Sequence, residues 1–144
     1  MLEARAIYLA GPIDHCTHDE MWTWRTKATE LLKPMKCFNP CVRHFEWNID
    51  TTNRDNIAKE VVTLDKAEIA ASDGLLVWYN PPEKGSRMTG TTMEIIHAFE
   101  KGKLVVLVTQ EPHLSAWIEY HVHRIYDNLE DATDFIKMFY GAGR

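Results

Sequence analysis

The chain lacks any apolar run near the ~20 residues that a membrane-spanning helix requires, so no membrane partner is expected. Positive charge is scarce: 16 Lys and Arg stand against 21 Asp and Glu, a net charge of -5. Proteins that grip nucleic acid by its phosphates carry a basic face, so a nucleic acid polymer is not an expected partner. A small anion stays within reach, because one phosphate needs only a few local donors. Cysteine is rare and odd in number, with Cys16, Cys37 and Cys41 alone. The segment Met1–Arg5 has no long apolar stretch after it and does not resemble a signal peptide. A disulfide framework is therefore not expected, and a cytoplasmic location is.

Two further absences bear on cofactors. G-x-G-x-x-G does not occur, which removes support for a dinucleotide cofactor. His15, Cys16 and His18 cluster, as do Cys37, Cys41 and His44, but neither spacing matches a common zinc motif. No metal and no cofactor are expected. Repeats, low-complexity tracts and linkers are also missing. With 45% hydrophobic and 26% charged residues, the 144-residue chain reads as one domain over 1–144.

What is present is alternation. Ala6–Ala10 is a short apolar run stopped by Gly11-Pro12, the profile of a buried strand. Thr17-His18-Asp19-Glu20 has the form of a capping box, so a helix is expected from there to about Lys33, ended by Pro34. Cys37-Phe38 is a second strand, and Cys41 to Asp50 is irregular and rich in aromatics. Ile57, Val61, Leu64 and Ile69 predict a helix over about 51–72. Gly74–Tyr79 is a third strand, Thr91–Lys101 a helix, Leu104–Val108 a fourth strand, and Val122–Tyr126 a fifth. Asn128 caps a final amphipathic helix. Continuous apolar strands between helices predict an α/β sandwich of flavodoxin or Rossmann type, with a five-stranded, mostly parallel sheet. Ligands in such folds sit beyond the carboxyl ends of the strands, where the strand order reverses. Three loops meet there: 11–17, 80–90 and 109–115.

Two acids border that crevice. Glu94 stands in the first turn of the helix opened by Gly90-Thr91-Thr92-Met93, where the helix dipole favours an ionised carboxylate able to attack a sugar carbon. Thr91-x-x-Glu94 is equally a capping box, in which Glu94 only closes the helix. Asp65 borders the apolar stripe of its helix near the carboxyl end, which would raise its pKa as suits a proton carrier. It reads equally as a solvated partner of Lys66 or Arg54. Two carboxylates facing one glycosidic carbon suit a retaining mechanism. Gly11-Pro12 lets backbone approach a ligand, and Trp22, Trp24, Phe45, Trp47, Trp78 and Tyr79 offer rings for stacking or for the core.

Taken together, Tyr8-Leu9-Ala10-Gly11-Pro12-Ile13, Asp65 eight residues before Asp73, and Gly90-Thr91-Thr92-Met93-Glu94 followed by Gly102-Lys103 resemble the motifs of the nucleoside 2-deoxyribosyltransferase superfamily. The resemblance runs from about Ile7 to Ser115. It implies a glycosyl–Glu94 covalent intermediate, with Asp65 assisting departure of the base and Tyr8 orienting the nucleophile. It places Gly11, Pro12, Ile13 and Gly90 at the substrate, which would be a small-molecule nucleoside or nucleotide together with a nucleobase. It also implies a homo-oligomer with shared active sites. Transferases of the superfamily typically carry another Asp six residues before the nucleophile, where this chain has Met88. The related nucleoside 5'-monophosphate N-glycosidases often have Leu-Ser-Ala near a phosphate, which Leu114-Ser115-Ala116 resembles, and Arg87 adds a cation. Those enzymes usually have an Arg after the first motif, where this chain has Asp14-His15. Transfer to a base, hydrolysis of a monophosphate, and a non-catalytic nucleotide-binding module all stand as readings.

Overall fold

The computed structural model describes residues 1–43 and 54–141, with side chains of residues 54–56 left aside. Strands and helices alternate as β1 (Ala6–Ala10), α1 (His18–Leu32), β2 (Lys36–Phe38), α2 (Arg54–Ala71), β3 (Gly74–Trp78), α3 (Thr89–Glu100), β4 (Leu104–Val108), α4 (Ala116–Tyr120), β5 (Arg124–Tyr126) and α5 (Leu129–Gly141). Short 3-10 turns cover Leu2–Ala4 and Pro40–Arg43. The sheet order is β2-β1-β3-β4-β5, and every neighbouring pair is parallel. The order reverses between β1 and β3, where Tyr8 lies opposite Leu75. None of the described helices is long and apolar enough to cross a membrane.

The period of two along a strand divides the core into two layers. Ile7, Leu9, Leu76, Val106 and Val108 pack with Trp24, Ala28 and Leu32 of α1 and with Ala132 and Ile136 of α5. Tyr8, Ala10, Leu75, Val77, Val105 and Leu107 pack with Ile69 of α2, Ile95 and Ala98 of α3, and Ile118 of α4. Burying each such aliphatic side chain contributes roughly 1.5–3 kcal/mol, which is why β1 and β4 are apolar throughout.

Polar contacts fix the ends of these elements. Thr17 and Glu20 form the expected capping box, and the second carboxylate oxygen of Glu20 accepts from Glu83 N at 2.7 Å, tying the loop after β3 to α1. Asn128 Oδ1 accepts from Asp131 N at 2.8 Å, as expected of a cap. Asp73, just before β3, accepts from Ala6 N at 2.9 Å and from Arg5 Nη1 at 3.0 Å. The expected start of the third helix moves. Met88 is its N-cap in a left-handed conformation (φ 52°) with no side-chain cap bond, and α3 begins at Thr89 rather than Thr91. The short helix α4, within the stretch left between the fourth and fifth strands, gives no periodic signal because it has only five residues. His44 and the rest of the aromatic segment up to Asp50 lie outside the described residues.

One buried charge has no counterpart in the sequence reading. Arg25 of α1 is fully enclosed and donates to Met21 O at 2.8 Å, Gly11 O at 3.0 Å and Leu9 O at 3.4 Å. Lys36 N donates to Arg5 O at 3.0 Å, so the β2 ladder steps two residues at a time along β1. The donor due at Leu9 O would be residue 40, which is a proline and has no N–H. The guanidinium takes over where β2 stops. Replacing Arg25 with Met is expected to leave the Leu9 and Gly11 carbonyls unsatisfied and to cost roughly 2–4 kcal/mol, each orphaned acceptor being worth about 1–3 kcal/mol. Urea unfolding of the variant measures this, and a loss under about 0.5 kcal/mol would contradict it.

Candidate active site

The side chain of Tyr8 leaves β1 on the α2/α3 face and has no exposure to solvent. Its hydroxyl donates to Glu94 Oε2 at 2.6 Å. Asp65 of α2 faces both, close enough to bias the ionisation of each. Three residues far apart in sequence thus meet on the α2/α3 face of β1, beside the point of strand reversal.

Both sequence readings of Glu94 need correction. With α3 beginning at Thr89, Glu94 is the sixth helical residue and lies in the second turn, beyond the orphan N–H groups that would favour its anion. Thr91 is buried inside the helix and forms no capping box with it. Burial instead pushes the Glu94 carboxyl up to about 8, helped by the neighbouring Asp65 anion; the Tyr8 hydrogen bond and the Arg25 charge oppose the rise.

Asp65 is also raised, first by burial, and the Arg43 guanidinium opposes this. Among the described residues its partner is Arg43 rather than Lys66: Arg43 Nη2 lies 3.0 Å from Asp65 Oδ1 and 2.7 Å from Glu68 Oε1, while the Arg54 side chain lies outside the described residues. Two carboxyls this close share protons as a pair. Tyr8 is raised far above an ordinary phenol, chiefly by burial and then by Glu94 and Asp65, so it stays a donor.

The remaining predicted residues are spread more widely. Gly11 O is held by Arg25, and a methyl group at Gly11 would sit 2.6 Å from Trp24 Cζ2, so the close approach there is to α1. Pro12 lines a cleft of about 460 Å³ with Trp24, Trp78 and Asn80, on the α1/α5 face; Tyr8, Asp65 and Glu94 are not among its walls. Trp24 and Trp78 stack there at 5.8 Å between centroids. Ile13 is half-buried and its carbonyl accepts from Cys16 N at 3.2 Å. Gly90 is exposed in the first turn of α3, and Arg87 is exposed in the loop before it. Ser115 is exposed and caps α4, accepting from Ile118 N at 3.3 Å.

Arg25, Arg43 and Glu68 were not among the residues singled out from sequence. Pro40 was the usable signal for Arg25, since it ends the β2 ladder. Arg43 has no local signal, because its partners come from another element. Of the residues in the two Cys/His clusters, burial pushes the Cys16 and Cys37 thiols up to about 11 and raises Cys41. These are protonated thiols rather than reactive thiolates.

A parallel α/β sheet with paired carboxyls at its switch point defines the class: an open α/β protein with its candidate site at the strand carboxyl ends. Its family is given by sequence. The model described as "Nucleoside 2-deoxyribosyltransferase like" matches residues 4–111, and the chain belongs to that family. Among solved structures, a 2-deoxyribosyltransferase from Bacillus psychrosaccharolyticus is similar with a TM-score of 0.69 and 21% identity, covering 90% of each chain. At that identity the likeness speaks for the fold. Comparison with curated proteins gives no match.

The Glu94 environment makes stability depend on pH. Folded, the carboxyl keeps its proton up to about pH 8; unfolded, it loses it near 4.5. The folded state therefore binds the extra proton between those values. Its contribution is complete below pH 4.5 and is lost as pH rises through 8, by at most about 1.4 kcal/mol per pH unit. Glu94→Gln is expected to remove this slope, so that thermal unfolding at pH 5, 6.5 and 8 shows the variant gaining on the parent as pH rises. A constant difference across that range would contradict the assignment.

Proposed function

We propose that the protein cleaves the N-glycosidic bond of a (2'-deoxy)nucleoside or its 5'-monophosphate through a covalent glycosyl–Glu94 intermediate, and passes the sugar to another nucleobase. The observation that carries this reading is the 2.6 Å Tyr8–Glu94 hydrogen bond with Asp65 alongside. Tyr8 orients the carboxylate. One Glu94 oxygen attacks the anomeric carbon as the bond to the base nitrogen breaks, and Asp65 gives the departing base its proton. In the second step an incoming base attacks the same carbon, Glu94 leaves as carboxylate, and Asp65 recovers a proton. In this reading Gly11, Pro12 and Ile13, on the loop after β1, and Gly90, in the first turn of α3, contact substrate. A cytoplasmic setting suits such substrates.

Met88 favours a second acceptor. The position six residues before Glu94 is buried and apolar, so no third acid stands there to manage an incoming base. Water then serves as acceptor, as in a nucleoside 5'-monophosphate N-glycosidase, with Arg87 and Ser115 binding the phosphate. Ser115 caps α4 beside the exposed Trp117 and Tyr120, and Met93 is exposed on α3. A second copy covering these side chains would bring Ser115 to its neighbour's site. On this reading Trp117→Glu converts the oligomer to monomer in sedimentation, and a monomeric parent protein would sink that part.

The test is to incubate the protein with each deoxynucleoside and each deoxynucleoside monophosphate, with and without a second free base, and to separate the products. Base exchange on nucleosides identifies a transferase, and base release from monophosphates alone identifies the glycosidase. Glu94→Ala is expected to lose at least ~10³-fold in turnover, and quenched parent enzyme to carry a sugar adduct on the Glu94 peptide. Silence from every substrate would leave a nucleotide-binding module.

A further inference from the structure

Arg43 ends the 3-10 turn after β2 and, among the described residues, is the only cation ion-paired to the Tyr8–Asp65–Glu94 group. It meets one carboxyl and not the other. Its Nη2 donates to Asp65 Oδ1 at 3.0 Å and to Glu68 Oε1 at 2.7 Å, while Nε donates to Glu68 Oε2 at 3.2 Å. Among the described residues, Glu94 has no ion pair and accepts from the neutral phenol of Tyr8. An ion pair stabilises an anion more than a neutral donor does. At rest, the negative charge of the pair therefore belongs on Asp65 and the proton on Glu94.

The chemistry proposed above needs the reverse: an anionic Glu94 to attack and a protonated Asp65 to give its proton to the base. We propose that Arg43 is a positioning residue that decides which of the two carboxyls keeps their shared proton, and that its contact with Asp65 must loosen before Glu94 can attack. The proton then moves from Glu94 to Asp65, and the negative charge moves the other way. Arg43 does not have to leave the site for this. Its two bonds to Glu68 give it a place to remain when Asp65 becomes neutral. A base nitrogen that accepts a hydrogen bond from Asp65 favours the same shift, so substrate binding and nucleophile release are coupled.

The groups facing the pair all enter this balance. Tyr8 comes from β1, Glu68 shares α2 with Asp65, and Arg25 adds positive potential from α1, where Cys16 and Cys41 also face it. Burial raises both carboxyls alike in direction, so it does not choose between them. Arg25 favours the Glu94 anion without an ion pair to it, so the direct ion pair of Arg43 with Asp65 is the contact that sets the order.

The proposal deepens the proposed function and rests on it for the chemical step, but the placement of the proton is readable without turnover. Full-length protein labelled with ¹³C at Asp and Glu carboxyls is titrated by NMR, with Asp65→Asn and Glu94→Gln spectra giving the assignments. In the parent, Glu94 is expected to titrate at higher pH than Asp65. In Arg43→Gln the order reverses, each group moving by about one pH unit or more, and Arg43→Lys restores the parent order. The rising limb of kcat/KM in Arg43→Gln moves to lower pH together with Glu94. An unchanged order in folded Arg43→Gln overturns the proposal, whether or not the protein turns over any substrate. If Arg43→Gln does not fold, Glu68→Gln reads the same coupling. Asp65 must then titrate lower and Glu94 higher, because Arg43 serves Asp65 alone; loss of the Glu68 charge by itself lowers both, so a Glu94 that falls with Asp65 overturns the proposal.

Discussion

Tyr8 donates its phenolic hydrogen to Glu94 from a position with no access to solvent, and the surrounding elements are arranged to hold that contact. A strand at the centre of a parallel sheet is a rigid mount, because it is paired on both sides. Here β1 is hydrogen-bonded to β2 and β3, while α3 is seated by Ile95 and Ala98 on the same face as Tyr8. A hydroxyl and a carboxyl contributed by residues 86 positions apart can be kept at 2.6 Å only by elements that do not shift against one another.

Burying acids in this place has a cost that the structure meets with two arginines of different kind. Arg43 answers Asp65 directly through an ion pair. Among the described residues Arg25 has no carboxylate on its guanidinium and donates to main-chain carbonyls, including two that β2 leaves open when Pro40 ends the ladder. Its charge still reaches Glu94 and opposes the rise of that carboxyl. One side chain thus completes a truncated strand edge and adds to the site's electrostatics. The same truncation sends the chain into the turn that delivers Arg43.

The strands were legible from sequence because β1, β3 and β4 are apolar at nearly every position, which is what burial on both faces demands. The capping box at Thr17 and the cap at Asn128 were legible because each is a contact between residues three apart. The same local rule misplaced the start of α3. Thr91-x-x-Glu94 has the right letters, but burial of Thr91 and the turn at Met88 set the helix going two residues earlier. A pattern of four residues carries no information about which of them faces the core.

Sequence alone determined the order of strands and helices apart from α4, the parallel sheet and the three loops at its carboxyl edge, since hydrophobic period and turn residues are local properties. It also placed Tyr8 on a strand that ends at that edge and Glu94 on a helix that begins there. Only the tertiary structure decided that they meet, that burial rather than a helix dipole governs Glu94, and that Arg43 stands on Asp65. Ionisation in a buried site depends on distances between groups remote in the chain and on the water excluded around them. Neither quantity exists until the chain has folded.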